Sequence, residues 1–107
     1  MKMDYEKTKQ IWEDYSDAEK EEITMQIDEL VKQHMIDLDG FRGAEFPVVM
    51  NAANEAGISS DMFYYVMELL SGTRYAFGPI YIHYKLEWEL HFGETWEEVY
   101  PEDEVVL

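Results

Sequence analysis

The sequence contains no cysteine, so no disulfide can staple the fold and no thiolate can bind a metal or act as a nucleophile. The core must hold the chain together alone, and the absence suits a reducing compartment. Bases are scarce, with eight Lys and Arg against 24 Asp and Glu and a net charge of −16. A surface of that sign repels phosphate backbones and anionic membranes, which argues against direct binding of nucleic acid or a membrane surface. No stretch approaches about 18 consecutive apolar residues, and Met1 to Lys9 lacks the apolar run of a signal peptide. There is no glycine-rich phosphate loop, and Ser16, Ser59, Ser60 and Ser71 stand at cap or turn positions without a neighbouring histidine. With no repeat, low-complexity tract or linker, residues 1–107 read as one acidic domain.

What is present is enough to fold. Hydrophobic residues make up 47% of the chain and aromatics 15%, which argues against global disorder despite the charge. The charge is uneven. Residues 1–40 carry twelve acids and five lysines, residues 41–86 four acids and three bases, and residues 87–107 eight acids and no base. A nearly neutral apolar middle lies between two acidic ends.

Four segments have helical signatures. Tyr5, Thr8, Ile11, Trp12 and Tyr15 recur at three- and four-residue intervals. Ser16-Asp17-Ala18-Glu19 matches a capping box and opens a second helix, with an apolar stripe Ile23, Ile27, Leu30, Val31, His34, Met35 and Leu38. That pattern predicts a helix running out at Asp37-Leu38-Asp39-Gly40, followed by a turn through Phe41-Arg42, with His34 as a packed core histidine. Pro47 suits the first turn of a third helix that ends at Gly57, and Ser59 or Ser60 caps a fourth that stops at Ser71-Gly72.

Ile80 to Phe92 alternates instead. Ile80, Ile82, Tyr84, Leu86, Trp88, Leu90 and Phe92 are apolar, and Tyr81, His83, Lys85, Glu87, Glu89 and His91 are polar or amphipathic. Period two predicts one long half-buried strand. Thr73 to Phe77 and Thr95 to Tyr100 are expected to pair with it, the second through a tight hairpin at Gly93. The expected fold is therefore α+β: about four helices packed on a small, mainly antiparallel sheet built around strand 80–92. A strand that outruns its partners leaves an edge through which a homodimer can form.

Ala53-Asn54-Glu55-Ala56-Gly57-Ile58-Ser59, followed by Phe63 and Val66, resembles the helix-turn-helix pattern over about a quarter of the chain. In that family the second helix enters the major groove and meets phosphates and bases with cations or amides. Residues 60–70 contain no Lys, Arg, Asn or Gln, so the geometry is retained and the DNA-reading role is not.

No enzyme chemistry, cofactor or metal site is expected. On a strand, His83 and His91 would stand roughly 26 Å apart, far beyond a shared ion. The acidic ends and a surplus of aromatics point instead to an inhibitory binding protein whose carboxylates stand where phosphates would lie in a basic groove of a nuclease or other nucleic-acid-handling protein. In composition the chain is similar to the acidic anti-restriction and anti-CRISPR proteins of phages. The candidate contacts are Glu87, Glu89, Glu94, Glu97, Glu98, Glu102, Asp103 and Glu104, a second row of Asp17, Glu21, Asp28 and Glu29, and the anchors Trp96 and Tyr100. The expected compartment is the cytoplasm, that of the host cell for a phage-encoded chain. Alternatives are an immunity protein that neutralises a basic toxin, or a helix-turn-helix-derived adaptor that binds another protein through Asp61 to Leu70, where changes at Met62 and Tyr65 should abolish binding.

Overall fold

The computed structural model describes residues 4–77, 80–95 and 98. Its elements run α1 (Tyr5–Asp14), α2 (Asp17–Gln33), β1 (Met35–Leu38), β2 (Phe41–Glu45), α3 (Phe46–Glu55), α4 (Ser60–Leu70), β3 (Tyr75–Phe77), β4 (Tyr81–Tyr84) and α5 (Lys85–Phe92). Among the described residues this is an α+β fold of five helices and a four-stranded sheet, ordered β1-β2-β4-β3 with every pairing antiparallel. None of these helices is long and apolar enough to cross a membrane.

Local chemistry sets most of the boundaries. The capping box forms at α2: Ser16 Oγ accepts from the Glu19 amide, and the Glu19 carboxylate accepts from the Ser16 amide. Donation from the Ser16 amide, and next from the Ser16 hydroxyl, holds the Glu19 carboxyl below its ordinary range. Pro47 lies in the first turn of α3. Gly57 ends that helix at φ 92°, and its amide donates to Asn54 while that of Ile58 donates to Ala53, the paired bonds of a Schellman cap. Ser59 then caps α4 by accepting from the Met62 amide.

Three expectations are corrected. First, α2 stops at Gln33, with His34 as its C-cap and Met35–Leu38 as strand. Asp39 and Gly40 both take positive φ, 59° and 109°, and Leu38 pairs with Phe41 across them. This is the two-residue hairpin turn that Asp-Gly favours, so Phe41 and Arg42 are strand residues rather than the turn itself. His34 is only half-buried, its Nδ1 bonded to the Leu30 carbonyl.

Second, the alternating run 80–92 is not one strand. It is extended only over Tyr81–Tyr84, and Lys85–Phe92 is helix. The β-branched and aromatic residues favour strand up to Tyr84. Beyond it come Lys, Leu and Glu, which favour helix, with no β-branched residue among them. The apolar positions of that half fall into two i,i+4 pairs, Leu86 with Leu90 and Trp88 with Phe92, the rings of the second pair lying 4.9 Å apart.

Third, Gly93 is not a hairpin turn. It is the left-handed C-cap of α5 at φ 73°, its amide donating to Glu89. Most of the strand expected at 95–100 lies outside the described residues. β4 is paired on both sides, by β2 and by β3, so the open edge on which the homodimer rested is absent there.

The core gathers Ile27 and Val31 of α2, Val49 and Ala53 of α3, and Ala44, Tyr75 and Ile82 of the sheet around α4. α4 is its centre, burying Met62, Phe63, Tyr65, Val66 and Met67. Met62 and Tyr65, each 5% exposed, face this core, while Tyr64, Glu68 and Leu69 form the outward side of α4.

Tyr75 ties the layers together. Its ring is fully buried and its hydroxyl donates to Asp28 Oδ1 on α2, 47 residues away. Burial, and next the bond to that carboxylate, push the phenol far above its ordinary range. Burial raises Tyr65 and Tyr84 in the same direction. A folded-state value raised above the unfolded one favours the protonated native form, so this stability is complete below about pH 10 and falls as the pH rises beyond it. We expect Tyr75→Phe to cost about 1.5–3 kcal/mol at neutral pH in urea unfolding, the range for a hydrogen bond to a charged group. The same variant should lose one phenol's share of the alkaline decline, about 1.4 kcal/mol per pH unit.

Candidate functional site

The expected carboxylates divide into those the fold uses and those it leaves outward. Arg42 of β2 reaches Glu87 in the first turn of α5 through two bonds, Nε to Oε1 at 3.1 Å and Nη2 to Oε2 at 2.5 Å. The bonded guanidinium holds the Glu87 carboxyl below its ordinary range, and Glu87 raises Arg42 in return. Glu89 lies 3.6 Å from Lys85 one turn back on the same helix. Asp28 accepts from Tyr75 and stands 3.8 Å from Arg74. Glu87, Glu89 and Asp28 therefore join elements together or brace a helix.

Around the Arg42–Glu87 pair the aromatic rings complete the seat of α5. Phe41 stacks with His83 of β4, centroids 4.6 Å apart, and with His91 of α5 at 4.1 Å. The wide separation expected for the two histidines is overturned, because the helix brings His91 back over β2. His83 Nδ1 is bonded to the Arg42 carbonyl at 2.9 Å. Gly43 makes room for this ring, since a Cβ there would come within 2.7 Å of His83 Cε1. No group of three or more His, Asp or Glu side chains among the described residues is placed to hold a metal ion.

Asp17, Glu21 and Glu29 stand exposed on α2, and the structure adds Glu22 and Met25 to them. Ala18, Glu21, Glu22, Met25, Gln26 and Glu29 line one shallow groove along the outer face of that helix. Met25, 61% exposed, lies at its middle. Ile27 and Val31 point the other way, into the core. The side chains of Asp17, Glu21, Glu22 and Glu29 have no ion-pair partner among the described residues, and Lys32 stands beyond them in the last turn. Glu22 and Met25 were legible from helical spacing, because they share the face of Glu21 and Glu29.

At the other acidic end, Glu94 and Glu98 are exposed. Trp96, Glu97, Tyr100, Glu102, Asp103 and Glu104 lie outside the described residues. Trp88 is half-buried against Phe92, and Tyr64 is 43% exposed beside Phe46 and Phe77.

A second hollow, of about 470 Å³, lies where α1, α2 and the α3–α4 turn meet, with Ile11, Tyr15, Ile23 and Met62 in its lining. Two of its polar groups serve as helix caps: Asp4 accepts from the Lys7 amide and Ser59 from that of Met62. It has the character of a seam between helices. Searched against family models, curated proteins and solved structures, the chain matches none of them.

Because the Glu87 carboxyl is depressed in the folded state, its contribution is complete above the unfolded value of about 4.3 and is lost as the pH falls through the folded one. We expect the amide signals of residues 85–92 to hold their helical positions at pH 5 and to drift toward coil in acid below about pH 4. Glu87→Gln should abolish that local transition, and Arg42→Ala should shift the same signals already at pH 7. The readout is residue-resolved NMR across an acid titration.

Proposed function

We propose that this protein is an acidic inhibitory binding protein that occupies a basic, nucleic-acid-accommodating groove of another protein and keeps nucleic acid out of it. The observation that carries the proposal is the outer face of α2, where Asp17, Glu21, Glu22 and Glu29 stand in a row with no cation paired to them among the described residues. At about 1.5 Å of rise per residue the row spans about 18 Å, roughly one charge per 5 Å, against one per 3.4 Å along a DNA strand. The same order of charge density is thereby offered on a rigid helix. Met25, exposed between the carboxylates, adds a flexible apolar contact that a phosphate backbone lacks.

Charge of this kind governs encounter and orientation, and the affinity it adds falls with salt. A groove that normally holds phosphates accepts such a surface because its own cations are already arranged for a line of negative charge. Glu94 and Glu98 extend the acidic surface at the other end of the chain.

The test is to immobilise the full chain, capture proteins from a lysate of its source or host cells, and elute with a salt gradient. We expect a nucleic-acid-binding protein to elute between low and moderate salt and to be displaced by added duplex DNA or structured RNA. The Glu21→Lys, Glu22→Lys, Glu29→Lys variant should retain at most about a tenth of it, since each reversed rim charge turns attraction into repulsion. Retention through high salt, indifference to nucleic acid, or undiminished capture by the reversed variant would contradict the proposal.

A further inference from the structure

α5 is held in place without using its leucines. Glu87 is bonded to Arg42, His91 stacks on Phe41, and the Lys85 amide donates to the Arg74 carbonyl. Leu86 and Leu90, one turn apart, are 72% and 84% exposed, and no residue of this helix is buried. Two hollows lie beside them. One, of about 630 Å³, is lined by Thr73, Arg74, Tyr84, Leu86 and Glu87. The other, of about 510 Å³, has Leu90, Asp37, Phe41, Arg42 and His91 among its walls. Glu87 lines both hollows, so the leucines form an apolar pair with two depressions along one flank, toward the sheet.

We infer that this pair docks an amphipathic helix of the partner, one with an apolar stripe flanked by Lys or Arg. The inference rests on the proposal of an acidic binding protein and adds where its apolar anchor lies. Two exposed leucines one turn apart, with hollows along one flank, fit between the i and i+4 rows of another helix. The sign of the flanks is set by charge. Arg42, Arg74 and Lys85 are the three bases in residues 41–107, and each already lies within 4.0 Å of a carboxylate. Asp37 in the hollow at Leu90 and Glu94 beyond that leucine have no cation paired to them among the described residues. A second copy of the chain, itself at −16, would bring those carboxylates against their own kind. The partner therefore supplies the cations, and its apolar stripe covers Leu86 and Leu90.

The probe is a synthetic fluorescein-labelled peptide of about 18 residues, five helical turns, with Leu at helical spacing and Lys elsewhere. Its binding to the full chain is read by fluorescence anisotropy and located by NMR shift mapping. We expect the shifts to centre on residues 86–94. Leu86→Ser with Leu90→Ser should weaken binding about tenfold or more, as removal of a central anchor does. The same peptide composition in scrambled order should lose a similar factor, while Glu21→Gln, Glu22→Gln and Glu29→Gln should change affinity by no more than about threefold. Both leucines are exposed, so an unchanged thermal melt confirms that the serine variant is folded.

Equal affinity for the serine variant, equal binding of the scrambled peptide, or shifts centred on α2 would overturn the inference. So would tighter binding, by about tenfold, to a chain ending at Thr95, which would make residues 96–107 the occupant, or a dimer in sedimentation that the serine variant abolishes. Failure of duplex DNA to displace the captured lysate protein would count against the groove proposal alone and leave the peptide result standing.

Discussion

Arg42 grips Glu87 across 45 residues of sequence, and that grip fixes the course of the chain after Tyr84. With the carboxylate anchored to β2, residues 85–92 turn back over the sheet, and His91 comes down onto Phe41. An extended continuation would carry Glu87 and His91 away from both partners. The pair is partly exposed, and a solitary surface ion pair contributes little to stability. Its role here is positional: two parallel bonds set the orientation of the helix as well as its place. In that orientation Leu86 and Leu90 face outward beside two hollows.

The shortage of bases imposes the second constraint. Three cations serve residues 41–107, and all three brace the fold: Arg42 to α5, Arg74 beside the Asp28–Tyr75 link, and Lys85 along α5 itself. Lys20 lies over the Trp12 ring, 5.9 Å from its centroid, at the seam of α1 and α2. With these four cations turned to internal duties, carboxylates accumulate on outer faces, most plainly along α2. Self-repulsion on this scale destabilises a compact chain. The buried cluster around α4 and the Tyr75–Asp28 bond oppose it. The acidity and the aromatic core are thus two sides of one arrangement, in which apolar burial holds together what charge drives apart.

Much of this was legible in the sequence, and the failures share a cause. The capping box at Ser16, Pro47 at the head of α3, the Gly57 cap and the Ser59 cap are local signals, carried by residues within one turn of one another, and they were read correctly. The helical half of the α+β class rests on them. The hairpin 35–45 was hidden because Met35 and Leu38 also continue the apolar spacing of α2. The Asp39-Gly40 turn was the stronger signal and should have outweighed it. The run 80–92 misled because period two and i,i+4 pairing coincide when alternate residues are apolar. Composition separates them, since the second half has helix formers and no β-branched residue. The site was harder to read. That Asp28, Glu87 and Glu89 are tied down depends on Arg74, Arg42, Tyr75 and Lys85, three of which are brought close only by tertiary structure. The outward row on α2 needed only helical periodicity, and Glu22 and Met25 could have been named with Glu21 and Glu29.

The central claim is that two outward helical faces, the carboxylate row of α2 and the leucine pair of α5, meet one partner. Amide hydrogen exchange of the chain alone, and then saturated with the protein captured from lysate, tests it most directly. The account predicts added protection confined to residues 17–29 and 85–94, with the α2 share diminishing as salt is raised. Protection concentrated instead at the α1–α4 seam, or unaltered exchange in both segments, would contradict it.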